Sequence, residues 1–233
     1  MNSLPRMVSG AQARSVFASA IAVTAFIGCA EQPVPEPVVS MESVMEPTFV
    51  LRLDSERSEL DEFEIIEDDD GVRIKTGPAG IAYRATDLVQ SGDFQAVGSF
   101  VQYGAPLGYR EAYGIFVGGR DLDSPDWEYT YLLVRPTGDV LVKRRVGEIT
   151  ETILDWTPHE SVARVEEEGD EPENELAIRV VDGETRFDVN GITVHAMPTA
   201  QARPFGIAGL RVNHRLDVRV NYWRLEDAST ESQ

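Results

Sequence analysis

The chain has 233 residues, with 40 Asp and Glu against 21 Lys and Arg and a net charge of −19. That balance argues against nucleic acid, whose binders need basic patches, and against lying flat on anionic lipid, which polybasic segments do. A single cysteine, Cys29, rules out an intramolecular disulfide, so any folded domain must be held by its core.

In chain order the first element is an uncharged apolar run, Ser15 to Gly28, preceded by Arg6 and Arg14 and followed by no acid before Glu31. A basic leader, a short apolar stretch and a small residue make up the anatomy of an export signal. The run is shorter than the ~20 apolar residues that a membrane span needs. The segment Phe26-Ile27-Gly28-Cys29 resembles the lipobox of bacterial lipoproteins. The resemblance implies cleavage after Gly28, a lipid on Cys29 and an exported protein anchored to membrane. Ala30, standing where an aspartate would signal inner-membrane retention, implies an outer-membrane destination. Residues 29–47 follow as a tether, with Pro33, Pro35, Pro37 and Pro47 among glutamates and no lysine or arginine; such a composition stays extended and semi-rigid. The domain proper is expected over 48–227, long enough for one core, and 228–233 is a polar tail.

Within the domain, apolar or alternating runs recur at short intervals, separated by Gly, Pro, Asn and Asp. They predict strands at Thr48–Leu53, Phe63–Glu67, Val72–Thr76, Ile81–Ala85, Phe94–Tyr103, Ala112–Gly118 and Tyr129–Arg135. Further strands are expected at Val140–Val146, Thr150–Asp155, Glu175–Val181, Thr185–Val189, Ile192–His195, Gly206–Val212 and Leu216–Leu225. Asp70-Gly71, Thr137-Gly138-Asp139, Asp182-Gly183 and Asn190-Gly191 supply the residues that tight hairpins require. No stretch keeps a 3.6-residue period between capping signals. The pattern is all-β, a sandwich or a barrel.

The order of a strand at 174–180, a Val189-Asn190-Gly191 hairpin, the Gly206-Ile207-Ala208-Gly209-Leu210 strand and a closing strand resembles the concanavalin A-like (laminin-G-like) jelly roll. Tyr113–Gly119 and Tyr129–Arg135 fit the same strand order. Within that superfamily the chain looks most like the exported bacterial domains grouped with 3-keto-glycoside hydrolases. The resemblance implies a two-sheet jelly-roll sandwich, and a superfold that hosts lectins, hydrolases and adhesion modules alike.

Five groups of residues offer chemistry. Glu62 and Glu64 could share a strand face, as the paired acids of jelly-roll glycanases do, but Ile66 continues that face and a solvated surface is the reading preferred here. Asp121, Asp123 and Asp126 lie close enough in sequence to offer oxygens to calcium, the one cofactor for which the chain has a place. The acidic run Glu166–Glu173 reads as a solvated loop. His159, His195 and His214 show no zinc-binding spacing. The aromatics point most directly to a ligand. Tyr129 and Tyr131 share one face of a strand, Tyr113 precedes a neighbouring one, and Tyr109 and Trp127 flank them. Tyr and Trp pack on the C–H faces of sugars while residues such as Arg110 and Glu111 bond the hydroxyls. The same aromatics also fit a core. The expectation is therefore a membrane-anchored, non-catalytic module for a glycan or other envelope ligand. A glycoside hydrolase and a structural envelope protein binding a protein partner are the rivals.

Overall fold

A computed structural model describes residues 48–68 and 71–227; Cys29, the export signal, the tether and the tail lie outside the described residues. Fourteen strands form two antiparallel sheets of seven. Sheet A runs β1 (Val50–Leu53), β4 (Gly80–Val89), β13 (Gly206–Val212), β6 (Tyr113–Arg120), β7 (Glu128–Arg135), β8 (Asp139–Val146), β9 (Ile149–Pro158). Sheet B runs β12 (Ile192–Pro198), β11 (Glu184–Val189), β10 (Glu173–Val181), β5 (Phe94–Gln102), β14 (Asp217–Asp227), β3 (Gly71–Thr76), β2 (Phe63–Asp68). Each predicted strand has its counterpart. β4, β9 and β12 run further than expected, and a single helical turn, α1 (Thr199–Ala202), is too short to print a 3.6-residue period on the sequence.

Alternation decides which side chains enter the sandwich. In β3, Val72, Ile74 and Thr76 are buried while Gly71, Arg73 and Lys75 are half-exposed, the period of two that a one-sided strand shows. The core between the sheets is built from Phe94, Phe100, Tyr113, Ile115, Leu132, Leu176, Ile178, Phe187, Leu210 and Val218, all at most 2% exposed. Burying a side chain of this size contributes about 1.5–3 kcal/mol. Two hairpins use left-handed residue pairs, Asp182 (φ +52) with Gly183 (φ +78) and Asn190 (φ +51) with Gly191 (φ +77). Their twist matches that of the strands they join. Gly118 (φ +71) has a different reason to lack a side chain: a Cβ there would stand 2.1 Å from the carbonyl oxygen of Arg203. The β6 backbone bends there, between Val117 and Arg120, beneath the α1 segment.

The outer face of sheet B is polar. Ser99 donates to Glu173, Tyr222 to Glu175, and Asn221 to Glu173 at 3.0 Å. Arg73 grips Asp217 through two bonds of 2.7 and 2.8 Å. Past a bulge at 220–222, Trp223 turns inward against the core and donates from Nε1 to Asp87 at 2.9 Å, whereas Tyr222 faces out.

Candidate functional site

β7 is apolar on both sides, and this shapes sheet A. Leu132 and Val134 pack between the sheets, while Tyr129, Tyr131 and Leu133 face the opposite way and begin a second cluster. Ile81, Tyr83, Phe116 and Leu141 from neighbouring strands join it, with Leu122 and Trp127 from the β6–β7 connection. The rings run in sequence: Phe116 to Tyr129 at 5.0 Å, Trp127 to Tyr129 at 5.4 Å, Tyr129 to Tyr131 at 5.4 Å. Such tilted ring contacts add to burial.

A layer of arginines lies on these rings. The guanidinium groups of Arg52 and Arg145 stand 4.2 and 4.4 Å from the centre of the Trp127 ring, and Arg211 stands 5.9 Å from that of Tyr131. Stacking of this kind favours Arg over Lys. Register explains the convergence. Tyr129 is opposite Arg145 across β7 and β8, and Arg211 and Arg52 are opposite the two sides of Ile81 in β4. Asp54, just past β1, accepts from Arg211 Nη2 at 2.6 Å and from Arg145 Nη2 at 3.3 Å. Arg211 is 5% exposed and also donates to the carbonyls of Gly80 and Val212. Burial works against its charge, but Tyr129, Asp54 and Tyr131 outweigh burial and hold the proton on more tightly than usual. Burial pushes the Tyr129 hydroxyl up to about 12, with Arg211 acting in the opposite sense.

This group does not close on itself. Among the described residues, Asp54 Oδ1, the Tyr129 hydroxyl and the Nε atoms of Arg52, Arg145 and Arg211 are buried without a hydrogen-bond partner. Leaving a buried polar atom unpaired costs about 1–3 kcal/mol, so their concentration at one place marks a site rather than packing alone. Beside them opens a cleft of about 420 Å³, lined by Arg52, Asp54, Arg57, Trp127, Arg145 and Glu148 among others, within the size range of small-molecule pockets.

The same face carries a second arginine–tryptophan pair towards the other end of β7. Arg135 stands 4.3 Å from the ring centre of Trp156 and bonds Asp139 at 2.9 Å, while Thr137 donates to the same carboxylate at 2.6 Å. Burial would raise the Asp139 carboxyl, but the bonds from Arg135 and Thr137 win and hold it below the usual range. Between the two ends, Lys143 is opposite Tyr131 and half-exposed.

Of the residues expected at a ligand site, the structure gathers Trp127, Tyr129 and Tyr131, but buries them at 3, 1 and 5% exposure. Their rings are the floor and the arginines the surface. Tyr113 is corrected: it points into the inter-sheet core, 2% exposed, with Asn174 donating to its hydroxyl at 3.1 Å, and so cannot meet a ligand. Tyr109 packs against the edge of that core and donates to the Arg215 carbonyl at 2.6 Å. Arg110 is exposed, with its charge acting on Asp139, and Glu111 stands 3.7 Å from His214. Asp121, Asp123 and Asp126 are exposed and not drawn together; among the described residues no group of three His, Cys, Asp or Glu is placed to hold a metal ion. Glu62 lies in a 3-10 turn before β2, and Glu64 faces Lys75 at 3.9 Å, on open surface. Asp54, Arg52, Arg145, Lys143, Trp156 and Arg211 were not singled out by sequence. The β8 segment Leu141-Val142-Lys143-Arg144-Arg145 did carry a signal, since its alternate positions place two cations on the tyrosine face.

No family model matches the chain, and no curated protein matches it. Solved structures do. The chain is similar to carbohydrate-binding module CBM66 from Bacillus subtilis, with a TM-score of 0.52 and 9% identity over 76% of this chain and 95% of that one. It is similar to the carbohydrate-recognition domain of Emp46p, with a TM-score of 0.53 and 10% identity over 77% and 88%. Alginate lyase A1-II′ gives 0.52 and 9% over 78% and 95%. At such identities the likeness is one of fold, and the described residues form a concanavalin A-like jelly-roll sandwich.

Proposed function

We propose that this domain is a glycan-binding module, held at the cell envelope by a lipid on Cys29, and that it binds through the outer face of sheet A. One observation carries the reading: the convergence of buried, unpartnered Arg, Asp and Tyr atoms beside a cleft on an aromatic floor. Guanidinium and carboxylate groups together match the mixed donors and acceptors of a sugar hydroxyl set. The similar carbohydrate-binding module and carbohydrate-recognition domain support it through the shared sandwich. Asp54 and Asp139 are each committed to arginine.

The test is retention of the full chain on a panel of cell-envelope polysaccharides, with new reducing ends measured in the same samples. Retention without release is the expected result. Release of reducing ends would replace binding by hydrolysis, and failure to bind any member would move the role to a protein partner. Cys29→Ala should shift the protein from the membrane to the soluble fraction, and continued membrane association would sink the anchor.

A further inference from the structure

We infer that the ligand of this face is an anionic polysaccharide, a linear chain bearing carboxylate or sulfate groups, lying along β7 and β8; this rests on the glycan-binding reading above. In a chain of net charge −19, five cations stand on the outer face of sheet A: Arg52, Arg135, Lys143, Arg145 and Arg211. Among the described residues, the carboxylates bonded to them are Asp54 and Asp139, and Glu56 and Glu148 also line the cleft. The cations therefore outnumber the acids they hold. Lys143 has no ion-pair partner among the described residues, although it is only half-exposed. Its charge is free to meet an incoming anion.

The spacing selects a chain over a single ion. From Tyr129 to Arg135 is six steps of β7, about 20 Å at the rise of a strand. Arg145, Lys143 and the Arg135–Asp139 pair mark this length at its start, its second row and its end. Trp156, half-exposed beneath Arg135, gives the far end an apolar surface for a sugar ring. Carboxylate and sulfate are the acceptors that Arg binds best.

Three probes test the inference on the full chain: polygalacturonate for carboxylate, dextran sulfate for sulfate, and dextran as the neutral control. Binding of either anionic polymer at least about tenfold tighter than dextran, weakening as salt rises, is expected. Lys143→Glu should lower that affinity about tenfold, the effect of reversing one exposed charge, and leave the melting temperature unchanged. Which polymer binds better identifies the anion. Dextran binding as tightly as both anions, or anionic binding that ignores Lys143→Glu, would overturn the inference while glycan binding survives. Binding to none of the three would overturn the inference, and retention on the cell-envelope panel decides separately whether glycan binding survives.

Discussion

The outer faces of the two sheets both carry charged groups and treat them differently. On sheet B, carboxylates are met by donors: Glu173 by Ser99 and Asn221, Glu175 by Tyr222, and Asp217 by Arg73, with the side chains of that last pair 36 and 31% exposed. On sheet A, Arg211 and Asp54 are 6 and 23% exposed at the side chain, and five polar atoms near them lack partners. A solvated pair can lose its partner to water. A buried one cannot, so the same chemistry becomes structural on one face and reactive to a guest on the other.

Breaking one carboxylate on each face gives the sharpest contrast. Asp54→Ala strands a buried guanidinium and should cost about 3–5 kcal/mol in urea unfolding, whereas Asp217→Ala should cost about 1 kcal/mol or less. Equal losses would erase the distinction. Next, Tyr131→Ala should lower stability by about 3 kcal/mol, because the ring is packed as core rather than displayed. A melting temperature within error of wild type would return it to the role of an open ligand contact.

Alkaline titration probes both faces of sheet A together. Tyr113 and Tyr129 are each held at about 12 by burial, above the ordinary 10.0. The folded state thus keeps protons that the unfolded state releases, so stability is intact below pH 10 and falls as pH rises from 10 towards 12. Two units correspond to about 3 kcal/mol per tyrosine. Tyrosinate absorbance appearing near pH 10 at these two positions, before unfolding, would contradict it. The smallest effect belongs to open surface: Glu64→Gln removes a 3.9 Å contact with Lys75 and should shift stability by less than about 0.5 kcal/mol.

Strand positions and hairpins were readable because they are local. Alternation along Val72–Thr76, or Asp182-Gly183 between two apolar runs, needs no knowledge of what packs above it. The site was not local. Asp54 and Arg211 are 157 residues apart in sequence, and nothing near either residue reports the other. Arg211, inside the apolar Gly206–Val212 run, reads as an interruption until β4 and β1 bring Asp54 to it. The tyrosine stripe was readable as a stripe, but its burial was not. Both parities of β7 are apolar, and only the fold shows that Tyr113 belongs to one side and Tyr131 to the other. The aromatic floor was thus visible in part, and the cationic layer above it was missed.

The position of β14 has a consequence for how the molecule is made. It lies between β5 and β3, so the β2–β3 hairpin joins the rest of sheet B only through it. Residues 71–76 must wait for residues 217–220 before their backbone groups have neighbours on both sides. While the chain is still emerging from a ribosome, the first hairpin of sheet B has nowhere to dock, and an unpaired edge is an invitation to wrong partners. Closure is then a single late event made by the last strand, and a nascent chain halted before residue 217 should remain protease-sensitive across 71–76 however long it is left to fold.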